Sequence, residues 1–315
     1  MGWIGQLVAP NPRRNMSQSP ANIVVTTLGT GTPVPDPERC SQSILVEAGG
    51  LKLLFDAGRN VLTRLTQAGV NPADVEQVFF THFHSDHTVG FADFWLTSWI
   101  PAGGARTTPL RVTGPRGSEA LVNGHRMAFA DDIRIRMADQ GLPKSGVEVI
   151  VDEFSDEGVV YERDGVVVRA FDVDHGEAIK PNFGYRIDYQ ESSVVISGDA
   201  KNDPRVADVA AGVDLLLHSA GGARAELLQR PEIAAILQHH TTPQEAGRIF
   251  KQASPRLASL VHMVRIGRPG FPRLTPDEIV NMVREVYDGD LIVAEDLMRF
   301  EVSGEGVTVR THQDQ

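Results

Sequence analysis

Short apolar and β-branched runs, each closed by turn residues, recur along the first part of the chain and predict strands. Residues 22–29 form the first such run, ending in Gly29-Thr30-Gly31-Thr32-Pro33, where glycine permits a sharp turn. Residues 43–46 and 51–55 flank Gly49-Gly50 and read as a hairpin whose second strand Asp56 closes. A helix over 60–68 places Val61, Leu62 and Leu65 on one face, with Gly69 ending it. Val78-Phe79-Phe80 reads as a short buried strand, and Phe91, Phe94, Trp95 and Trp99 then recur at helical spacing, a stripe that belongs in a core more often than in a pocket.

From 101 to 153 the pattern loosens into one strand near 109–112, Gly114-Pro115 and a polar helical region carrying His125, Arg126, Asp131, Asp132, Arg134 and Arg136. This stretch predicts a helical insertion near the mouth of a site, with His125 on a solvated face more readily than on substrate. Strands resume at 147–151, 159–161, 166–171, 185–189 and 194–196, and helices then alternate with strands. Two later helix starts are well marked, since Thr242-Pro243-Gln244-Glu245 and Thr275-Pro276-Asp277-Glu278 each combine an N-cap Thr, Pro at the first helical position and Glu at the third. The second carries Ile279, Met282, Val283 and Val286 as its buried stripe, with Gly289 beyond. Early hairpins mixed with helices in both halves imply an α/β fold of two packed sheets covered by helices, with no linker or repeat dividing it. The expected organisation is an N-terminal extension over 1–21, one domain over 22–310 with the insertion at 101–153, and a tail over 311–315.

One stretch resists any packing explanation. His82-Phe83-His84-Ser85-Asp86-His87 follows the Val78-Phe79-Phe80 strand, and three histidines with a carboxylate are costly to desolvate without a partner. A metal supplies one. His82 and His84, two apart, reach one ion from the same side, while Asp86 and His87 turn toward a second position, so two neighbouring ions follow.

Composition narrows the rest. The chain has 315 residues, 41% hydrophobic and 23% charged, which are ordinary globular values. A net charge of −11 disfavours a broad footprint for a polyanion, so nucleic acid is not the expected partner. The single cysteine, Cys40, forms no internal disulfide and fits a reducing, cytoplasmic setting. In the first residues the apolar part precedes Arg13 and Arg14, the reverse of a secretory signal, and no apolar run approaches the roughly 18 to 20 residues of a membrane span. The Gly pair of GTGTP lacks a G-x-G-x-x-G or P-loop context and is no nucleotide motif.

The string HFHSDH resembles the HxHxDH signature of the metallo-β-lactamase superfamily, and Leu53-Leu54-Phe55-Asp56-Ala57-Gly58 resembles its strand ending in Asp-x-Gly. The resemblance implies an αββα sandwich from about Ile23 to Val309. His175-Gly176 followed by Phe183-Gly184-Tyr185-Arg186 is similar to the third-histidine segment of the ribonuclease Z and arylsulfatase-like branch. It further implies Asp199, in Ser197-Gly198-Asp199-Ala200, as a carboxylate between two ions, and His262, after Leu260-Val261, as the last histidine. His82, His84 and His175 would then hold one ion, and Asp86, His87 and His262 the other. Asp56 would brace the metal loop, His240 or its neighbour His239 would contact substrate or protonate a leaving group, and His218 matches a strand-end histidine of the family. Nitrogen and carboxylate ligands without thiolate suit two zinc ions best, with manganese or iron as alternatives.

Such a pair of ions holds a bridging hydroxide and implies hydrolysis. His218-Ser219-Ala220-Gly221 departs from the His-Glu-Ala-Thr of ribonuclease Z, and no long Gly-Pro and Lys-rich arm appears. The expected substrate is therefore a small-molecule ester (sulfate, phosphate, lactone or lactam), with a ribonuclease Z-type tRNA-processing endonuclease as the alternative. A di-iron redox enzyme ranks below both, since the third ligand is a histidine and no flavin domain is appended, and intact ligands at every position argue against a metal-free relative. The resemblance also favours a homodimer.

Overall fold

The computed structural model describes residues 21–312; most of the expected N-terminal extension (1–21) and part of the expected tail (311–315) lie outside them. Among the described residues fifteen strands form two sheets. In chain order the first six are β1 (Ile23–Gly29), β2 (Ser43–Ala48), β3 (Leu51–Phe55), β4 (Gln77–Phe79), β5 (Leu110–Pro115) and β6 (Val149–Phe154). Then come β7 (Gly158–Arg163), β8 (Val166–Asp172), β9 (Phe183–Tyr189), β10 (Ser192–Ile196), β11 (Leu215–Ala223) and β12 (Leu257–Ile266). The last are β13 (Leu291–Val293), β14 (Met298–Ser303) and β15 (Gly306–Arg310). One sheet has eight strands in the order β15-β14-β1-β2-β3-β4-β5-β6, the other seven in the order β13-β12-β11-β10-β9-β8-β7.

Alternation along the strands separates three apolar layers. Ile23, Val25, Phe55, Phe79, Tyr185, Leu215, Leu217 and Phe300 meet between the sheets, where Phe55 stacks on Phe79 at 4.7 Å. The outer face of the eight-stranded sheet, with Leu54, Val78 and Val112, packs against helices α1 (Val61–Gln67) and α3 (Phe91–Trp99), with the short α2 (Ser85–Thr88) between them in the chain. Phe91, Phe94, Trp95 and Trp99 are all buried there, so the aromatic stripe is core. On the other side of the molecule Val195, Leu216 and Ala220 of the seven-stranded sheet face Phe250, Ile279 and Val283. The αββα sandwich is therefore present, each sheet burying both faces.

The stretch 101–153 divides between layers. Its strands β5 and β6 extend the eight-stranded sheet in parallel, while helices α4 (Ser118–Ala128), α5 (Ala130–Gln140) and α6 (Lys144–Val147) lie outside it. Gly117, at the start of α4, sits against the ring of Phe83 in the histidine loop, and His125 packs on Phe91 at 5.8 Å.

The remaining helices are α7 (Pro204–Val209), α8 (Ala225–Leu228), α9 (Pro231–Leu237), α10 (Pro243–Ala253) and α11 (Pro276–Arg284). Both Thr-Pro-x-Glu starts form reciprocal capping boxes, at Thr242 with Glu245 and at Thr275 with Glu278. Helix α11 stops at Arg284, one turn short of the Val286 and Gly289 expected to close it. Among the described residues no helix is long and apolar enough to cross a membrane.

Candidate metal centre

The histidine loop begins where β4 ends, and Asp56, at the end of the parallel neighbour β3, holds it in place. Asp56 Oδ1 accepts from Thr81 N at 2.8 Å, and its Oδ2 pairs with His87 Nδ1 at 2.7 Å and accepts from Thr81 Oγ1 at 2.9 Å. A carboxylate on Nδ1 fixes the ring's orientation and, in the neutral imidazole, leaves Nε2 of His87 to present a lone pair. Thr81 Oγ1 also meets His82 Nδ1 at 3.0 Å, so one side chain ties the brace to two histidines. Sequence reasoning gave Thr81 no role, although its place directly before the histidines was the available sign.

Three distant segments complete the cluster. His175 follows β8, Asp199 follows β10, and His262 lies within β12. His262 is the extra residue of a β-bulge, since Ser219 pairs with Val261 and Ala220 already pairs with Met263. Its φ of 45° is the left-handed conformation that a non-glycine residue adopts only under constraint, and its N–H donates to Thr30 O at 3.1 Å.

The ligand atoms face one another. His82, His84, His175 and Asp199 bring one donor atom each within 4.8 Å of the others, as do Asp86, His87 and His262. Asp199 stands between the sets, with Oδ2 3.6 Å from His175 Nε2 and Oδ1 3.2 Å from His262 Nδ1. His262 Nε2 meets Asp86 Oδ2 at 3.0 Å. His240 forms a further group with Asp199 and His262.

Whether this donor set fits a metal is decided by its unsatisfied atoms. His87 Nε2, His175 Nε2, His262 Nδ1 and Asp199 Oδ1 are buried without a hydrogen-bond partner, and all four point into the cluster. Orphaned buried polar atoms are costly, and four converging ones of this chemistry fit divalent cations. Burial would raise the carboxyl of Asp199, but His262 and His87 beside it hold it well below the usual carboxylate range. Burial, reinforced by neighbouring His87, pushes His82 well below the usual histidine value. Burial likewise opposes a charge on His87, yet Asp56 and Asp199 hold that imidazole well above its usual value.

His239 and His240 have different parts. The carbonyl of His239 accepts from His175 Nδ1 at 2.7 Å, orienting that ring, whereas the His240 ring lies 5.2 Å from His175 and 6.1 Å from His262, inside the site. Burial pushes His240 down to about 4.

His218, which matches a strand-end histidine of the family, is not one of the grouped ligand residues. Along β11 it shares parity with Leu216 and Ala220, which face the helices, and its ring packs edge-on against Phe250 of α10 at 5.9 Å. Gly221, where the family's His-Glu-Ala-Thr would end, lies directly under the Cβ of His240.

The cluster opens into a cavity of about 710 Å³. His84, His175, Asp199, His240 and His262 line its inner end, and Ile179, Ile236, Met263, Val264 and Ile266 give it apolar walls. Arg39, Arg265, Arg268 and Arg273 line it as well, none of which sequence reasoning singled out. Gly267 and Arg268 of the loop after β12 line it, whereas no residue of 101–153, the stretch expected near the mouth of a site, does.

Comparison with known proteins bears on the same residues. Residues 52–263 match the family described as "Beta-lactamase superfamily domain". Ribonuclease Z of Mycobacterium marinum is 33% identical over 283 residues, covering 89% of this chain and 99% of that protein. Ribonuclease Z of Mycolicibacterium gilvum is 32% identical over 283 residues, covering 89% and 96%. Among solved structures, the metallo-β-lactamase fold protein YhfI from Bacillus subtilis has a TM-score of 0.65 at 19% identity over 88% of this chain and 98% of its own. The short form of human tRNase Z has a TM-score of 0.63 at 21% identity over 89% and 99%. At those identities the two structures speak to the fold.

The full-length ribonuclease Z relatives overturn the expectation of a small-molecule ester and of nucleic acid as an unexpected partner. That expectation leaned on a whole-chain charge of −11, which averages over the surface, whereas a phosphate responds to charges within about a Debye length, ~8 to 10 Å at physiological salt. The chain belongs to the metallo-β-lactamase superfamily of metal-dependent hydrolases, in its ribonuclease Z branch.

Proposed function

We propose that this protein is a ribonuclease Z-type endonuclease that hydrolyses a phosphodiester bond in precursor tRNA. The observation that carries the reading is identity to ribonuclease Z across nearly the whole of both chains. The seven side chains His82, His84, Asp86, His87, His175, Asp199 and His262, gathered at one end of an open cavity, support it. In this reading they hold two zinc ions, the first three-histidine set (His82, His84, His175) and the second set (Asp86, His87, His262) sharing Asp199. Bound there, the pair of cations supplies Lewis acidity that eases ionisation of water and draws charge from the phosphoryl oxygens.

The chain's own groups do the rest. Asp56 on Nδ1 of His87 and the carbonyl of His239 on Nδ1 of His175 turn the Nε2 atom of each ring into the cluster. Asp86, held by His262, turns its carboxylate into the cluster, where it orients the water that attacks phosphorus. Attack breaks one P–O ester bond, and the departing oxygen takes up a proton. His240, inside the cavity and clear of the loop ligands, is placed to hydrogen-bond that oxygen. The half-buried lone thiol Cys40 suits the reducing cytoplasm, where such a substrate resides.

The test is incubation of zinc-loaded protein with a precursor tRNA bearing a 3′ trailer. Cleavage at one position, abolished by a chelator and by His262→Ala, is the expected result. Failure to cut the precursor while a sulfate ester or lactone turns over would refute the reading.

A further inference from the structure

The cavity is chemically asymmetric. Its inner end is the histidine and carboxylate cluster, while another part of its lining carries four arginines drawn from two distant segments, Arg39 after the Thr30–Pro33 turn and Arg265, Arg268 and Arg273 after His262. In a chain of net charge −11, four like charges on one cavity are a strong local departure.

Ordinary stability does not account for them. Several arginines elsewhere meet carboxylates, as Arg64 does with Asp296 at 3.0 Å and Arg224 with Glu278 at 3.1 Å. Among the described residues none of the four cavity arginines forms such an ion pair. Their protein contacts are neutral: Arg39 Nη1 donates to Thr30 Oγ1 and Ala294 O, both at 2.7 Å, Arg265 Nη1 to Leu274 O at 3.2 Å, and Arg268 Nη1 to Gly267 O at 3.1 Å. Those contacts hold the guanidinium groups of Arg39, Arg265 and Arg268 without a carboxylate paired to any of them. Arg265 is half-buried, and burial together with Arg39 and Arg273 beside it pushes its guanidinium below the usual range. Asp36, the one carboxylate lining the cavity apart from Asp199, attracts Arg265 and offsets part of that lowering, but among the described residues it forms no ion pair with any of the four. Holding like charges together in a half-buried place costs free energy that an incoming anion recovers.

We infer that Arg39, Arg265 and Arg273, with Arg268 at the rim, form an anion subsite that seats a second phosphate of the substrate while the scissile phosphate lies at the histidine cluster. The identity of that anion as a nucleotide phosphate rests on the nucleic-acid reading above. Planar guanidinium forks suit phosphate oxygens, and fixing a neighbouring phosphate sets the register of the chain so that one linkage reaches the cluster. The subsite makes the enzyme discriminate in favour of substrates with at least two adjacent phosphates.

The experiment measures binding by calorimetry of a dinucleotide with one internal phosphate against the same dinucleotide carrying an added terminal phosphate, at the 5′ or the 3′ end. In the unmodified protein one added phosphate tightens binding about 10-fold or more, and the gain shrinks as salt rises. In Arg265→Gln/Arg273→Gln the ratio of the two dissociation constants falls to about 2 or less, and the exposed single variants Arg268→Gln and Arg273→Gln fall between. Because the readout is a ratio within one protein, general unfolding, which removes both affinities, is separable and is checked by the thermal midpoint. Arg134→Gln on the exposed face of α5 keeps the full ratio. The inference is overturned if neither terminal phosphate adds affinity, or if the gain survives in the double variant. Precursor-tRNA cleavage is scored separately: an intact phosphate ratio without cleavage sinks the endonuclease reading alone, and cleavage without the ratio sinks the arginine subsite alone.

Discussion

Replacing Asp56 with Asn changes one oxygen for an amide nitrogen in a site with no access to water, Asp56 being 2% exposed and its partner His87 fully buried. The carboxylate now receives Thr81 N at 2.8 Å, Thr81 Oγ1 at 2.9 Å and His87 Nδ1 at 2.7 Å. Asn keeps an acceptor for Thr81 N only by turning its NH2 toward His87 Nδ1. The imidazole must then move its proton to Nε2, the atom that faces Asp86 at 3.7 Å and Asp199 at 3.6 Å. A proton there occupies the lone pair a cation needs. Losing an outer partner of a liganding histidine costs roughly 10- to 100-fold in metal affinity, and losing charge-assisted hydrogen bonds about 1.5–3 kcal/mol of stability. Asp56→Ala, which also strands Thr81 N and His87 Nδ1, costs about 3–5 kcal/mol. Zinc titration against a competing chelator, alongside thermal unfolding, reads both effects. If Asp56→Asn retained two ions per chain with affinity within about 2-fold of the unmodified protein, the tautomer argument would be wrong.

Three further outcomes follow from particular contacts. A Cβ on Gly221 would stand 2.8 Å from the Cβ of His240, so Gly221→Ala should displace that ring, cost about 1–3 kcal/mol and lower precursor cleavage, measured as kcat, by roughly 10-fold or more. Thr275→Ala removes the capping box of α11 and should lower stability by about 1 kcal/mol in a denaturant titration, with metal affinity unchanged. Burial pushes His218 down to about 4, below its unfolded value near 6.5, so the unfolded chain binds the proton first and stability falls as pH drops from about 6.5 to about 4. His218→Leu should flatten that fall by up to about 1.4 kcal/mol per pH unit in midpoints taken between pH 7 and pH 4.5, and an unchanged slope would show that His218 is not its source.

Local features of this protein were legible without coordinates because they act over a few residues. The two capping boxes, the Gly49-Gly50 hairpin joining β2 to β3, and the contiguous His82–His87 string at a strand end all depend on spacing and intrinsic conformational preference. The αββα layering was legible for a related reason, since alternating and continuous apolar runs dictate which faces must be covered. Parity along β11, not residue type, set His218 against Phe250 and outside the grouped ligand residues. A one-residue bulge opposite Ser219 and Ala220 aimed His262 at Asp86 and Asp199, and a slip of that size leaves no mark in the hydrophobic pattern. The four cavity arginines were invisible because Arg39 and Arg265 lie far apart in the chain and meet only when the turn after β1 folds over the end of β12. Sequence fixes the chemistry a segment brings; register and layer packing, set by contacts across the whole chain, decide which segments share a site.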